Sequence, residues 1–347
     1  MIPYGRQDIT EDDISEVEKV LRSDFLTQGP TVPKFEKSVI NYCGASYAIA
    51  VNSATSALHI ACLALELGPG DWLWTSPNTF VASANCGRYC GANIDFVDID
   101  PKTYNISIEA LSEKLALSEK TGNLPKILVP VHFAGQPCNM PAIYDLSKRY
   151  GFKIVEDASH AIGALYKKNK VGSCKYSDIA IFSFHPVKII TSAEGGMALT
   201  NDKKIADKIF RLRTHGITND KSIMKKRSES EIWNYQQIEL GFNYRMNDIQ
   251  AALGLNQIKR LDKYVERRNK IAKIYDKELK SLSIILPWQS PEVYSSYHLY
   301  PIRVKNITGN NKSQKKIYEK LRGNKIGVNL HYTPVHRHPY YESLGFK

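Results

Sequence analysis

Apolar positions along this chain recur first at helical and then at strand spacing, and the change of period marks its organisation. From Thr10 the apolar residues Ile14, Val17, Val20 and Leu21 follow an acidic, cappable start, which predicts an amphipathic helix. The polar stretch Ser23 to Thr31 breaks it. A second helix is expected after Pro33, with Phe35, Val39 and Ile40 on one face, stopping at Gly44. Tyr47 to Val51 then reads as a fully buried strand, Asn52 to Ser56 as a turn, and Ala57 to Leu67 as an apolar helix. Short apolar runs follow at Trp72–Thr75, Ile94–Val97, Ile127–Val131 and Lys153–Glu156, with helical segments between them, one from Thr79 to Cys90. Strand and helix alternating in this way predict an α/β domain with a mostly parallel sheet and right-handed crossovers. Functional residues in such sheets collect at the carboxyl ends of strands.

An apolar run from Ile179 ends in Ser183, a polar turn presents His185 and Lys188, and Gly195-Gly196 leads into Met197, Ala198 and Leu199. A helix is expected over Asp202–Thr214, and a polar, basic surface loop from Ile217 to Gln237. Met246 to Ser281 has a long helical pattern suited to bridge into a second domain. Strands at Tyr297–Val304 and Val328–Val335, and a helix between Gln314 and Gly323, are expected there. The expected division is a large domain over 1–246 and a smaller C-terminal α/β domain over 247–347.

Composition narrows the classes. At 347 residues the chain exceeds what one core usually supports, which favours a large domain plus a small one. No apolar run approaches the roughly 20 residues that span a bilayer, and the first residues lack a signal-peptide pattern, so a cytoplasmic protein without membrane contact is expected. Six scattered cysteines show no C-x-x-C spacing and read as reduced core thiols rather than metal ligands. The net charge of +12 arises partly from Lys221, Lys225, Lys226 and Arg227. No nucleic-acid motif accompanies those charges, which leaves a solvated basic surface, or attraction of anionic small molecules, and no nucleic-acid partner.

Four clusters carry candidate chemistry, each with a plainer reading beside it. Asn52, Ala54, Thr55 and Ser56 at a strand-to-helix turn suit a phosphate, or simply cap a helix. Asp157 emerges at the end of a buried strand, where a carboxylate needs a cationic partner to stay charged. It equally suits a helix cap, and His160 a satisfied core histidine. Ser183 and Lys188 offer a hydroxyl donor and an amine that burial would deprotonate for attack on a carbonyl; a solvated lysine is the alternative. Gly241 to Asp248, with Asn243 and Arg245, is a capped helix start or a polar contact cluster. Their order (phosphate turn, aspartate at a strand end, serine and lysine after another strand) is the layout a pyridoxal-phosphate enzyme requires.

These same residues carry a family resemblance. The segments beginning at Asn52 (Asn-Ser-Ala-Thr-Ser-Ala-Leu), Glu156 (Glu-Asp-Ala-Ser-His-Ala-Ile-Gly), Phe182 (Phe-Ser-Phe-His-Pro-Val-Lys), Gly241 (Gly-Phe-Asn-Tyr-Arg-Met-Asn-Asp) and His331 (His-Tyr-Thr-Pro-Val-His) resemble the DegT/DnrJ/EryC1/StrS family of nucleotide-sugar aminotransferases. The likeness covers essentially the whole chain. Within the family the sequence is most similar to the C4 aminotransferases that act on UDP-linked 4-keto-6-deoxy sugars in pseudaminic acid biosynthesis.

The resemblance implies a pyridoxal-phosphate-dependent transferase of fold type I, aspartate aminotransferase-like, working as a homodimer with shared active sites. It implies that Lys188 carries the cofactor and moves the proton, that Asp157 pairs with the pyridine nitrogen, and that His160 lies near the ring's 3-oxygen. Ala54, Thr55 and Ser183 would hold the phosphate, Asn243 would reach in from the neighbouring subunit, and Phe80 would stack on the ring. Glutamate, yielding 2-oxoglutarate, is the implied amino donor and a UDP-linked keto sugar the acceptor. Tyr4, Thr27, Gln28, His185, His331, Tyr332 and His336 are the candidate substrate contacts. Another 3-keto or 4-keto sugar is the alternative acceptor. The related sugar dehydratases are a more distant alternative, since they carry histidine where this chain has Lys188. Relatives continue past His338–Tyr341 into a last helix, which the C-terminal domain is expected to lack.

Overall fold

Alternate residues of the central strands point into different cores, and that alternation explains why these short runs form one sheet covered on both faces. In β1 (Tyr47–Val51), Ile49 and Val51 join one cluster while Ala48 and Ala50 join another. The computed structural model of the protein describes residues 1–226, 233–305 and 312–347. Arg227 and the middle of the expected 217–237 loop therefore lie outside the described residues.

Before β1 come α1 (Glu11–Leu21) and α2 (Thr31–Cys43). A capping box of Thr10 and Asp13 starts α1. Helix α2 begins before Pro33 rather than after it, because a proline in the first turn forfeits no hydrogen bond. After β1 follow α3 (Ala54–Ala64), β2 (Trp72–Thr75), α4 (Ala82–Tyr89), β3 (Asn93–Phe96), α5 (Ile108–Thr121), β4 (Ile127–Val129), α6 (Met140–Tyr150) and β5 (Lys153–Asp157). A small hairpin, β6 (Leu165–Tyr166) and β7 (Asn169–Lys170), precedes β8 (Ile179–Ser183), β9 (Gly196–Thr200) and α7 (Lys203–Leu212). Helix α3 starts three residues ahead of the sequence expectation, because Ser53 caps it by accepting from the Ser56 amide.

The main sheet has seven strands in the order β1-β9-β8-β5-β4-β2-β3. All neighbours are parallel except at β9, which runs antiparallel to both β1 and β8. Strands β1, β8, β5, β4 and β2 thus point the same way, and their carboxyl ends share one edge of the sheet. Helices α3, α4 and α7 cover one face, while α2 and, on the far half, α5 and α6 cover the other.

A two-residue pairing of β10 (Ile217–Thr218) with β11 (Gln236–Gln237) closes part of the basic loop. Then come α8 (Asp248–Gln257), a short 3-10 turn, and α9 (Leu261–Glu278). The C-terminal region holds β12 (Ile284–Ile285), β13 (Val293–Tyr294), β14 (Arg303–Val304), α10 (Lys312–Gly323) and α11 (Pro339–Glu342). Strand β12 pairs with β14, and β13 with β6.

Two expected strands of this region are corrected. Over Tyr297–Val304 only β14 forms, because the preceding backbone bonds instead to the turn at Phe133–Gly135: Ser296 N–H to the Gly135 carbonyl at 3.1 Å and Leu299 N–H to that of Ala134 at 3.2 Å. Gly135 has no room for a Cβ, which would lie 2.8 Å from the Tyr297 nitrogen. Over Val328–Val335 no strand forms. There Tyr332 N–H bonds to the Asn78 side chain at 3.1 Å and Val335 N–H to the Pro77 carbonyl at 2.9 Å. Among the described residues no helix is long and apolar enough to cross a membrane.

Candidate active site

The carboxyl edge of the sheet opens into a cavity of about 850 Å³, lined by the ends of β1, β5 and β8 and by the loops after them. Such a volume lies toward the upper end of ordinary ligand pockets, roughly 300–1,000 Å³.

Lys188 stands on the loop that joins β8 to β9. The base of that loop is closed by Phe184 N–H to the Gly195 carbonyl at 2.9 Å, and Ser192 N–H returns to Phe184 at 2.9 Å. Phe184, Ile189 and Ile190 are buried and anchor it. The lysine side chain is only partly covered, being open to the cavity, yet protein surrounds its amine. Burial pulls its pKa down to about 8 from 10.5, and the Asp157 carboxylate opposes that fall. The amine thus gives up its proton at lower pH than an ordinary lysine does.

Asp157 ends β5 and is buried. Its Oδ2 accepts from the Ser83 hydroxyl at 2.6 Å and its Oδ1 from the Ser159 amide at 3.1 Å. Since an ionised carboxylate only accepts, Ser83 must in turn take the Thr79 hydroxyl proton across 2.8 Å. No helix follows Asp157 directly, so it is not a helix cap.

At the start of α3, Ala54, Thr55 and Ser56 line the cavity with Ser183. Gly196 packs directly beneath that turn: a Cβ on it would lie 2.5 Å from the Ala54 nitrogen and the Ser53 carbonyl oxygen. First-turn amides, which have no partners inside their own helix, together with two to three hydroxyls, make a seat for an anion.

His160 is buried on the cavity wall, and its Nδ1 accepts from the Ala134 amide at 3.3 Å. The proton of the neutral ring therefore sits on Nε2 and is donated to the Tyr332 hydroxyl at 3.2 Å. Burial, then the nearby Lys188 and His331, hold His160 well below the usual histidine range. Burial raises the Tyr332 phenol, which keeps its own proton to donate. Tyr4 reaches the cavity from the first residues, bonding His331 Nε2 at 2.8 Å with the rings stacked. Phe80 lines the cavity while 59% exposed, leaving a ring face uncovered. His185 sits at the rim, 3.9 Å from the Glu194 carboxylate.

Within one chain, Thr27, Gln28, Asn243 and His336 are not brought to this cavity. Thr27 and Gln28 belong to the loop before α2, where the Leu26 carbonyl accepts from the Asp248 amide at 3.0 Å. His336 packs its ring 5.9 Å from Phe96, and Asn243 pairs with Thr214 in an isolated bridge. Sequence reasoning missed Ser83 and His298, both of which border the site. Ser83 had a signal in its one-turn spacing from Thr79; His298 had none.

A family model described as the DegT/DnrJ/EryC1/StrS aminotransferase family matches residues 7–347. The UDP-4-amino-4,6-dideoxy-N-acetyl-beta-L-altrosamine transaminase of Campylobacter jejuni is 40% identical over 345 residues, covering 99% of this chain and 87% of that protein. Helicobacter pylori PseC, an aminotransferase involved in pseudaminic acid biosynthesis, superposes with a TM-score of 0.87 at 31% identity, over 99% of this chain and 88% of its own. A sugar aminotransferase of Streptococcus pneumoniae in its PMP form gives 0.89 at 30% identity, over 100% and 89%.

Proposed function

Since the chain belongs to the DegT/DnrJ/EryC1/StrS aminotransferase family, we propose that it moves an amino group from glutamate to C4 of a UDP-linked 4-keto-6-deoxy sugar, in a pathway of the pseudaminic acid type. The enzyme is a pyridoxal-phosphate-dependent aminotransferase of the nucleotide-sugar type. The observation that carries the proposal is the enclosed, readily deprotonated Lys188 amine facing the same cavity as the Asp157 carboxylate. The name of the Campylobacter relative supports the sugar and the carbon, and that of the Helicobacter relative supports the pathway.

The residues present fit the cofactor. Its phosphate suits the Ala54 amide with the Thr55 and Ser183 hydroxyls, a seat that Gly196 keeps open. A protonated ring nitrogen would give buried Asp157 a charged hydrogen-bond donor, where the described residues give it only the Ser83 hydroxyl and the Ser159 amide. When bound, pyridoxal phosphate supplies an electrophilic carbonyl and an electron-accepting ring. Lys188 would attach the group and, once released from it, would take the proton from the donor carbon that loses nitrogen and, in the second half-reaction, deliver one to the sugar carbon that gains it. Ser83 holds Asp157 in place from behind. Phe80 would flank the ring from the cavity wall, and the Nε2–H of His160, bonded to the Tyr332 hydroxyl, would leave that hydroxyl's own proton to donate to the ligand. Tyr4, His185, His331 and Tyr332 form the substrate-facing wall.

We place the working site between two copies of the chain, divided as domains over 1–246 and 247–347. Asn243 does not line the cavity of its own chain, and exposed Trp233, Tyr235 and Leu240 precede it, an apolar surface suited to a second copy. Holoenzyme incubated with glutamate and a panel of nucleotide-linked 3-keto and 4-keto sugars tests the function. Release of 2-oxoglutarate is expected with UDP-linked 4-keto sugars, and release with none of them rejects it.

A further inference from the structure

One wall of the cavity holds more basic groups than the phosphate seat and Asp157 use. His298 lines the cavity, is 9% exposed, and among the described residues its buried Nδ1 has no hydrogen-bond partner. Its ring lies 4.4 Å from that of His160. Its backbone is fixed: Arg268 Nη1 donates to the carbonyl oxygens of Tyr297 at 3.1 Å and His298 at 3.2 Å, and Ser296 Oγ donates to the His160 carbonyl at 2.8 Å. An ordinary core histidine in so rigid a setting has a protein partner for its buried nitrogen.

The surrounding charge is one-sided. Burial, followed by repulsion from His160, Lys188, Arg268 and His331, pushes His298 well below the usual histidine range. Of the two acids lining the cavity, Asp157 is engaged by Ser83 and Ser159, and Glu194 lies beside His185. The start of α3 and Ser183 already provide for a phosphate, which leaves the His298 wall without an assigned role.

We propose that the His298 wall, with His331 beside it and Arg268 behind it, receives a carboxylate of the amino donor. The proposal rests on the aminotransferase reading with an amino-acid donor. A carboxylate would give the neutral His298 ring the acceptor it lacks and would set a negative charge before the Arg268 guanidinium, interactions that are worth more inside a desolvated pocket. The keto sugar carries no carboxylate, so the wall acts in only one of the two half-reactions. His298 would thereby separate donor recognition from acceptor recognition within a single cavity.

Glutarate is the probe, since it has the donor's two carboxylates and no amine to transfer. Its binding to holoenzyme is measured by calorimetry for wild type, His298→Gln and His298→Phe, with UDP binding, cofactor content and melting temperature followed in parallel. His298→Phe is expected to weaken glutarate roughly tenfold or more, with UDP affinity and cofactor content held and with His298→Gln recovering part of the loss. In turnover, KM for glutamate rises while KM for the sugar does not. Unchanged glutarate affinity in whichever of the two variants folds and loads cofactor overturns the proposal. Wild-type enzyme that neither binds glutarate nor releases 2-oxoglutarate from glutamate overturns it together with the donor reading. The wild-type result thus separates the two failures.

Discussion

Ser83 donates its hydroxyl proton to Asp157 across 2.6 Å, linking the first turn of α4 to the end of β5. Thr79 stands behind Ser83 at 2.8 Å, so the Asp157 carboxylate is held by a relay of two hydroxyls as well as by the Ser159 amide. Ser83→Ala should leave a buried carboxylate oxygen unpaired, at a cost of about 1–3 kcal/mol. The dissociation constant for pyridoxal phosphate is expected to rise on the order of tenfold, and Asp157→Asn to lose more. Titrating apoenzyme with the cofactor measures both, and an unchanged constant for Ser83→Ala removes the relay from the site.

Lys188 gives a pH signature. Its pKa is about 8 in the folded chain and 10.5 when unperturbed, so between these values the unfolded chain binds more protons. The energetic burden of the buried amine is therefore full below pH 8 and is relieved as pH rises toward 10.5. Apoenzyme should gain stability across that window relative to Lys188→Met. Melting curves at several pH values check the difference, and parallel curves for the two proteins contradict it. Lys188→Ala should also lose the visible absorbance that borohydride quenches in wild type.

Gly196 is expected to tolerate no side chain. A Cβ would press on the Ala54 nitrogen and the Ser53 carbonyl, both backbone atoms that cannot swing aside. Gly196→Ala should reduce cofactor retention on dialysis more than it lowers the melting temperature. Full retention would mean that the start of α3 can shift without losing its anion seat.

A stability prediction lies away from the site. Arg213 Nη1 meets Glu36 Oε1 at 2.6 Å and the Ala50 carbonyl at 2.6 Å, and the same Glu36 oxygen accepts from the Ala50 amide at 2.8 Å. With both side chains largely buried, Glu36→Ala strands a guanidinium in the interior and should cost about 3–5 kcal/mol. Urea unfolding of apoenzyme measures it, and a loss below 1 kcal/mol would mean that water reaches Arg213.

The central sheet was readable because its strands are buried on both faces and so appear as unbroken apolar runs, as at Ile179–Ser183. Lys188, Asp157 and Ser183 were readable for a related reason: each follows such a run, where polarity is conspicuous. The C-terminal region was not. Its apolar residues around Tyr297 and Val328 look strand-like, yet their backbone groups bond to turns at Ala134 and Pro77, contacts distant in sequence. His298 belongs to the same blind spot. Nothing local distinguishes it from a core histidine until the fold sets it against His160.

The pairing of Ser183 with Gly196 in the β8–β9 register has a practical consequence. Both ends of the lysine-bearing loop meet in a single rung of an antiparallel ladder, so the sheet itself holds the two feet of the loop together. Exchange within residues 184–195 is therefore confined to exposed positions such as Glu194, because Phe184, Ile189 and Ile190 are packed in the core.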